Sequence, residues 1–243
     1  MNTCHIVDLG LIGYSDAYAL QKRIVSARKT GAIGDVFLLC EHPPVITQGR
    51  NGKREHLLAA DSLLRQRNVE FVETSRGGDI TFHGPGQLVG YPILNLAALR
   101  KDVVWYVRML EEVMIRATAE LGLAAVREAG KTGIWVAQHG TTPEKLGAIG
   151  VHISRWITSH GFAYNVSTDL RYFDLIVPCG IAGRKATSLE KLLDRAVSSC
   201  EVAPLLVRHF GEVFGLRMEP AVKEEICEKL DRMEQAHLLA AVS

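Results

Sequence analysis

The stretch KLGAIGVHISRWITSHGFAYNV, residues 145–166, decides the fold. It offers two strands that are separated by only a few residues around Arg155 and Trp156. A connection this short joins antiparallel strands, whereas a parallel crossover needs about a dozen residues or more. The stretch therefore predicts a β-hairpin, and with it a sheet that is mixed rather than wholly parallel.

Further strands are predicted on the N-terminal side of this hairpin. Short runs rich in β-branched residues and bounded by Gly or Pro recur through the first two thirds of the chain. These runs are HIVDL, DVFLLC, PVIT, EFVET, LVGYPIL and GIWVA. Together with the hairpin they predict an α/β fold in the α+β sense, with a mixed sheet flanked by helices.

Two amphipathic helices are predicted among the strands, Ser15–Lys29 and Asp102–Leu121. Asp102 is a suitable N-cap for the second, and the glycine that follows Leu121 is a suitable stop. From residue 200 the pattern becomes helical again, and Pro220 is predicted to open a charged helix. We expect one domain, 1–243, with the C-terminal helices 200–241 packed on it.

Composition excludes several classes of protein. The 243 residues are 47% apolar and 23% charged, with a net charge of +1, so the chain is neither disordered nor given a general attraction to nucleic acid. No apolar stretch approaches the ~20 residues that span a bilayer, so no membrane partner is expected. The N-terminus carries no targeting pattern, and the five cysteines show no paired spacing. We therefore expect a cytoplasmic protein with reduced thiols.

The first candidate for a binding loop is RGGDITFHGPGQLVGYP, residues 76–92. Its glycines allow close approach of the backbone to a ligand and leave N–H groups free to face it. A phosphate cradle is one interpretation, although neither common phosphate-loop spacing is present. Tight turns between strands are the simpler interpretation. His83, within this stretch, is a candidate for ligand contact, and Gly77, Gly78 and Gly180 are candidate oxyanion donors.

The second candidate is the hairpin itself, where small side chains leave room along both strands. Residues such as Gly147, Ala148, Gly150, Gly161 and Ala163 would give a slot floored by backbone. Burial of an eight-carbon chain in such a slot is worth about 5 kcal/mol at ~0.8 kcal/mol per methylene. The alternative is that the small residues admit a crossing helix.

Two side chains that could take part in a reaction, a lysine and a cysteine, lie in or near these stretches. Alternation places Lys145 on the same strand face as Ile149 and Ile153, so we expect its ammonium against apolar surface. A solvated charge at a strand end is the simpler interpretation. Cys179 stands between Pro178 and Gly180, outside any periodic element, and the other cysteines fit the role of small hydrophobes. The local sequence presents Cys179 as a thiol without assigning it a reaction.

Several motifs together resemble the octanoyltransferase family. They are EHPPVITQGR (41–50), RGGDITFHGPGQLVGYPI (76–93), KLGAIGVHI (145–153) and HGFAYNVSTDLRYFDLIVPCGI (160–181) with the following TSL. Their order and spacing match, and the pairing of RGG-x-x-T-x-HGPGQ with a downstream PCG is specific. The resemblance implies a fold similar to the catalytic domain of biotin and lipoate protein ligases.

The resemblance also implies roles for individual residues. Cys179 is the implied acyl-thioester nucleophile, and Lys145 the implied residue that favours its thiolate. The implied contacts of the acyl group are Arg76, Gly77, Gly78, Asp79, Ile80, Thr81, Phe82, His83, Ala148, Ile149, Gly150, Gly161, Phe162 and Ala163. Asp79 departs from the family pattern, in which an uncharged polar residue is expected, and this puts the local charge in question.

The implied reaction is transfer of an octanoyl group from octanoyl-acyl-carrier protein, through Cys179, to a lipoyl-domain lysine. The acceptors would be the lipoyl domains of 2-oxoacid dehydrogenase E2 subunits and the glycine cleavage H protein. Thioester to amide is downhill, so we expect no cofactor and no metal. Three alternatives are an ATP-dependent lipoate or biotin ligase, a non-catalytic acyl-binding sensor and a cysteine thioesterase.

Overall fold

The computed structural model describes residues 2–137, 142–177 and 185–242, with side chains up to residue 236. The strands in these ranges are β1 (Asn2–Leu11), β2 (Asp35–Glu41), β3 (Val45–Gln48), β4 (Glu70–Glu73), β5 (Ile80–His83), β6 (Gln87–Ile93), β7 (Ala125–Glu128), β8 (Lys131–Val136), β9 (Glu144–Ser154), β10 (Ile157–Asn165) and β11 (Leu216–Pro220). The α-helices are α1 (Tyr14–Lys29), α2 (Asp61–Gln66), α3 (Leu96–Leu99), α4 (Val103–Glu120), α5 (Leu189–Leu193), α6 (Ser199–Phe214) and α7 (Lys223–Val242). Two 3₁₀ helices span Arg54–His56 and Leu170–Leu175.

The strands form two sheets. The large sheet has the order β11-β1-β2-β6-β10-β9-β8-β7, and the small sheet has the order β4-β3-β5. In the large sheet β1 is parallel to β2 and β11, whereas every pair from β2 to β7 is antiparallel. The prediction of a mixed sheet is confirmed.

The hairpin that decides the fold is β9–β10, joined at Arg155 and Trp156. Both residues have positive φ, 52° and 63°, as a two-residue type I′ turn requires. Neither is glycine, so tertiary contacts must help hold the turn. The Trp156 carbonyl accepts a hydrogen bond from the Leu96 N–H at 2.8 Å. The predicted hairpin is confirmed.

Helices cover both faces of the large sheet. Because side chains alternate along β2, Phe37 and Leu39 pack with α4 and α6, whereas Val36 and Leu38 pack with α1 and α7. The rings of Phe37 and Phe210 stack at 4.3 Å between centroids, which fixes α6 on the sheet. The sheet therefore has a separate apolar core on each face.

The predicted helices at the start and middle of the chain are confirmed within a residue or two. The Asp102 carboxylate accepts a hydrogen bond from the Trp105 N–H at 2.9 Å, as an N-cap does. Gly122, just after the C-cap of α4, has φ +82°, the left-handed conformation that ends many helices.

The C-terminal part departs from the prediction at Pro220. This residue ends β11 and pairs with Ile6 on β1, whereas the charged helix α7 begins only at Lys223. A proline is tolerated there because β11 is the edge strand of the large sheet. That the whole chain forms one domain stays a prediction.

Candidate active site

A cavity of about 430 Å³ lies where the β9–β10 hairpin meets β5, the loop before β5, and α1. Most of the residues predicted to form the site line it. They are Arg76, Gly77, Gly78, Asp79, Thr81, His83, Lys145, Ala148, Ile149, Gly150, Gly161, Phe162 and Ala163. The fold thus brings the glycine-rich loop to the β9–β10 hairpin, which begins about 65 residues later and carries Lys145 near the start of β9.

Two predicted residues, Ile80 and Phe82, lie on the opposite face of β5. Because side chains alternate along a strand, Thr81 and His83 face the cavity while Ile80 and Phe82 face the core of the small sheet. The Phe82 ring stacks on Tyr172 with 4.7 Å between centroids. In the structure these two residues hold β5 in place and do not line the cavity.

The glycines of the hairpin serve close approach of protein groups as well as open space. A Cβ at Gly161 would lie 2.1 Å from the carbonyl oxygen of Gly90 on β6. A Cβ at Gly147 would lie 2.7 Å from the sulfur of Met114 on α4, so the crossing-helix interpretation is right for this position. The predicted slot is present as part of the cavity, but some of its small residues are required by close packing against β6 and α4.

Arg76 is buried in the wall of the cavity. Its Nε and Nη2 donate to the Thr47 hydroxyl at 3.1 and 2.9 Å, and Nη2 also donates to the Thr47 carbonyl at 2.6 Å. Its Nη1 donates to the Gly77 carbonyl at 3.1 Å. The guanidinium therefore ties the glycine-rich loop to β3. The Gly77 N–H donates to the Val151 carbonyl at 2.9 Å, which occupies this candidate oxyanion donor.

Hydrogen bonds assign the tautomer of His83. The Gln87 amide donates from Nε2 to the Phe82 carbonyl at 3.2 Å and to Asn165 Oδ1 at 2.9 Å, so its Oε1 is an acceptor. His83 Nδ1, 2.7 Å from that oxygen, must carry the proton. Its Nε2 is then left as an acceptor, 3.4 Å from the Thr47 hydroxyl. Burial lowers the pKa of His83 to about 3, so the ring is neutral.

The same network reaches Lys145. Asn165 Nδ2 donates to the Thr187 carbonyl at 2.9 Å, and the Thr187 N–H donates to the Lys145 carbonyl at 2.9 Å. The Lys145 N–H donates in turn to the Lys185 carbonyl at 2.9 Å. The Lys145 ammonium lies 4.7 Å from the centroid of the Trp135 ring, where the face of an indole attracts a cation. Backbone pairing and the indole together fix the position of this ammonium.

His160 is held in a conformation that non-glycine residues seldom adopt. Its φ is +55°, its N–H donates to Gln21 Oε1 at 2.9 Å, and its Nε2 lies 3.1 Å from the Ser75 hydroxyl. Burial, followed by the charge of Arg76, lowers the pKa of His160 to about 3. His160 is therefore a neutral, fixed part of the cavity wall.

The chain is similar in sequence to known proteins. The family described as the lipoyl protein ligase A/B catalytic domain matches residues 13–211. An octanoyltransferase of Acidobacterium capsulatum is 52% identical over 221 residues, which cover 87% of this chain and 90% of that protein. The chain belongs to the octanoyltransferase family. The resemblance drawn from the motifs is confirmed, and so is the prediction of an acyltransferase.

Solved structures agree on the fold of this octanoyltransferase family member. The bipartite lipoate protein ligase of Thermoplasma acidophilum superposes with a TM-score of 0.74 at 15% identity, covering 96% of this chain and 92% of that one. The biotin protein ligase of Leishmania major with biotinyl-5-AMP gives 0.51 at 12% identity, covering 95% and 80%. At these identities the likeness concerns the fold alone, and it confirms the predicted fold class.

Cys179, the predicted nucleophile of this octanoyltransferase family member, lies outside the described residues. The described chain stops at Val177, whose N–H donates to the His56 carbonyl at 2.8 Å. It resumes at Lys185, whose carbonyl accepts from the Lys145 N–H at 2.9 Å. Lys185 is therefore hydrogen-bonded, through the backbone, to the residue predicted to activate the thiol.

The other four cysteines are free thiols. Cys4 and Cys40 are buried, and burial raises the pKa of both thiols far above the ordinary value. Cys227 is half-buried, but Cys200 is exposed in the first turn of α6. The prediction that the other cysteines are small hydrophobes is therefore wrong for the exposed Cys200, so exposure by itself does not select the nucleophile.

Asp79, the position at which an uncharged polar residue was expected in many relatives, lies beside a histidine. Its Oδ2 lies 2.5 Å from His56 Nδ1, and its Oδ1 accepts from the Ile80 N–H at 2.7 Å. Its side chain is 11% exposed, so the carboxylate is largely withdrawn from solvent. The carboxylate that Asp79 adds beside the cavity therefore faces the His56 imidazole.

Several residues of the cavity wall were missed by sequence reasoning. Val89 and Tyr91 share one face of β6, and their alternation in LVGYP was the available signal. Tyr14 comes from α1 and Val107 from α4, which only the tertiary fold brings to the cavity. His42 does not line the cavity but supports Tyr91 from behind, with Nε2 2.7 Å from its hydroxyl.

Two other kinds of feature were sought in the described part of the chain. Among residues 2–137, 142–177 and 185–242, no cluster of three or more His, Cys, Asp or Glu side chains is arranged to hold a metal ion. Within the same ranges, no helix has the length and apolar character required to cross a membrane.

Acid is expected to destabilise the protein through its buried histidines. The pKa of His83 and of His160 is about 3 when folded, whereas an exposed imidazole has a pKa of ~6.5. Between these two pKa values, both histidines are protonated in the unfolded chain but neutral in the folded chain. The contribution of each ring is complete above pH ~6.5 and falls towards pH ~3 by about 1.4 kcal/mol per pH unit.

Urea unfolding of the wild type and His160→Asn checks this expectation, since asparagine tolerates positive φ. Between about pH 4 and 6 the free energy of unfolding should depend less steeply on pH in the variant than in the wild type, by the contribution of one histidine. Between about pH 7 and 8 the two proteins should show the same dependence on pH. Equal slopes in the acid range would contradict the assignment of a buried neutral ring.

Proposed function

We propose that this chain transfers an octanoyl group from octanoyl-acyl-carrier protein to the lysine of a lipoyl domain, through a thioester on Cys179. The carrying observation is the cavity, which joins an apolar slot to a fixed lysine. Ala148, Ile149 and Ala163 line the slot, and Lys145 lies in the same wall. Lys145 is bonded to Lys185, where the described chain resumes after Cys179.

The slot suits an alkyl chain. Val89 and Ala163 line it with apolar side chains on the α1 face of the sheet, and the Arg76 guanidinium beside them is engaged by Thr47 and Gly77. Burial of the roughly six methylenes of an octanoyl group is worth about 5 kcal/mol at ~0.8 kcal/mol per methylene. That free energy would hold the acyl group while its carbonyl carbon is attacked.

The proposed first step is attack of the Cys179 thiolate on the thioester carbonyl of the donor. The bond to the carrier thiol breaks, and the Lys145 ammonium gives its proton to the leaving thiolate. In the second step the lipoyl-domain amine attacks the Cys179 thioester. Neutral Lys145 takes a proton from that amine, the amide forms, and the Cys179 thiolate is regenerated.

The thioester donor makes this reaction independent of a nucleotide. We propose that the acceptors are the lipoyl domains of 2-oxoacid dehydrogenase E2 subunits and the glycine cleavage H protein, in the cytoplasm. Support for these partners comes from family membership, and support for a reducing compartment comes from the free thiols of Cys4, Cys40, Cys200 and Cys227.

A transfer assay without ATP tests the proposal. Purified protein is mixed with octanoyl-carrier protein and an unmodified lipoyl domain, and the intact mass of the lipoyl domain is followed. We expect the domain to gain one octanoyl group. We also expect no gain when free octanoate and ATP replace the donor.

Each alternative gives a different result in this assay. An ATP-dependent ligase would modify the domain only with octanoate and ATP. A thioesterase would release octanoate and leave the domain unmodified, and an acyl-binding sensor would leave donor and domain unchanged. Any of these three results would overturn the proposed function.

A further inference from the structure

A second cavity, of about 270 Å³, opens between α1 and the far end of the β9–β10 hairpin. We call it the α1 pocket and define it by Tyr18, Gln21, Lys22, Lys29 and His152. Its hairpin side lies towards Ser154, at the opposite end of β9 from Lys145. The α1 pocket is therefore separate from the slot that the proposed function uses.

The wall of the α1 pocket is positively charged. Lys22 and Lys29 line it, and Arg50 lies close enough for its charge, after burial, to lower the pKa of His152. No Asp or Glu belongs to the described lining. Neither lysine has a carboxylate within salt-bridge distance in the described part of the chain: the Lys29 ammonium donates to the Ser154 hydroxyl at 3.0 Å, and that of Lys22 lies 4.8 Å from the Tyr18 ring.

One buried donor in the wall has no partner. Gln21 is only 1% exposed, and its Oε1 accepts from the His160 N–H at 2.9 Å. The amide orientation is thereby fixed, and Nε2 is left without a hydrogen-bond partner among the described residues. A buried amide donor without a partner has lost its hydrogen bond to water and gained none in exchange. An acceptor bound in the α1 pocket would supply that missing hydrogen bond.

Hydroxyl groups complete the set of donors. The Tyr18 and Ser75 hydroxyls lie 2.9 Å apart in the wall, whereas the Ser159 hydroxyl already donates to the His152 carbonyl at 3.3 Å. Two ammonium groups, an amide and the Tyr18–Ser75 hydroxyl pair match a ligand with many acceptor atoms and two negative charges. A phosphate group has that chemistry, whereas a carboxylate offers two oxygens and one charge.

We infer that the α1 pocket binds a phosphate group, held by Lys22, Lys29 and the Gln21 amide. The pocket is larger than one phosphate needs, so the phosphate of an organic ester fits this chemistry as well as the free ion does. Such a ligand would lie beside Ser75 and Gln21, which both contact His160 in the wall of the acyl slot. The inference does not rest on the proposed function.

His152 provides the test, because a phosphate in the pocket should raise its pKa. The groups that face this imidazole are Lys29 on α1, Arg50 after β3 and His160 on β10. The His152 ring signal, assigned with His152→Gln, is titrated with pH by NMR in inorganic phosphate and in chloride of equal ionic strength. We expect phosphate to raise the pKa of His152 by about 0.5–1 unit relative to chloride.

The variant K22M/K29M should weaken phosphate binding by about tenfold, the effect of losing two charge-assisted contacts. K101M/K223M has the same net charge, with both lysines exposed and outside the pocket, and should bind as the wild type does. Gln21→Glu keeps the acceptor for the His160 N–H but replaces the donor by a negative charge, and should abolish binding. Thermal unfolding in chloride confirms that each variant is folded.

The source of the phosphate is distinguished by comparing inorganic phosphate with phosphopantetheine. Similar affinities assign the site to a free phosphate or small ester, whereas much tighter phosphopantetheine binding assigns it to the arm of a carrier protein. The inference is overturned if neither compound shifts the His152 pKa beyond chloride up to about 10 mM. It is also overturned if the two double variants bind phosphate equally well.

Discussion

Replacing Cys179 by alanine is expected to reduce octanoyl transfer to the lipoyl domain on the order of 10⁴-fold or more, as loss of a covalent nucleophile does. The binding slot is built from other segments, chiefly β5, β6, β9 and β10, so substrate binding should persist in the variant. The measurement is the initial rate of lipoyl-domain modification with octanoyl-carrier protein, followed by intact mass.

The matched control is Cys200→Ala. Cys200 is the exposed thiol of α6 and does not line the cavity. Its removal should change the rate by less than about twofold, as surface substitutions commonly do. A Cys179→Ala protein that modifies the domain at a rate near that of wild type would remove Cys179 from the mechanism.

Replacing Lys145 by methionine is expected to slow transfer by about 10²–10³-fold, the range for loss of a positioned acid and base. The ammonium is fixed above the Trp135 ring and beside the chain that resumes at Lys185. A nearby cation commonly lowers the pKa of a thiol by ~1–3 units. The pH at which Cys179 reacts with iodoacetamide should therefore rise in the variant, while methionine preserves most of the side-chain volume.

Lys131→Met is the control for this variant. Lys131 lines the same cavity, lies 5.6 Å from the centroid of the same Trp135 ring and pairs with Glu128 at 2.7 Å. Lys131→Met removes one positive charge, as Lys145→Met does, but at a position that is not hydrogen-bonded to Lys185. It should change the rate by less than about threefold. An alkylation profile of Cys179 that is unchanged in Lys145→Met would exclude Lys145 as the activating group.

Local signals in the sequence predicted the centre of the fold. The β9–β10 hairpin followed from the spacing of two apolar runs, because a short connection leaves only an antiparallel arrangement. The long helix α4 followed from its repeat, from Asp102 as N-cap and from Gly122 as stop. In each of these elements the deciding interactions lie within a few residues of one another.

Long-range pairing explains what the sequence did not reveal about the fold. The edge strand β11 exists because it pairs with β1, more than two hundred residues earlier, in the register Asn2 with Leu216. Because β11 is only five residues long, it gave no clear strand pattern, and Pro220 was interpreted as the start of a helix. The small sheet places Ile80 and Phe82 on the core side of β5, and only the pairing of β5 with β3 decides that orientation.

The site was predicted as a set of glycine-rich segments and a lysine, and the fold brings these to one cavity. The network that fixes them could not be predicted, because Thr47, His83, Gln87, Asn165 and Thr187 come from five separate positions in the chain. Only the His83–Gln87 contact joins residues close in the sequence, and the other bonds depend on tertiary distance.

The most direct test of the account is the intact mass of the protein itself after mixing with octanoyl-carrier protein in the absence of ATP. We predict the addition of one octanoyl group, located at Cys179 by peptide mapping and absent from Cys179→Ala but present on Cys200→Ala. Addition of unmodified lipoyl domain should move that group to the domain within a single turnover. Modification of the lipoyl domain without any octanoyl adduct on Cys179, on that timescale, would contradict the thioester intermediate on which the account depends.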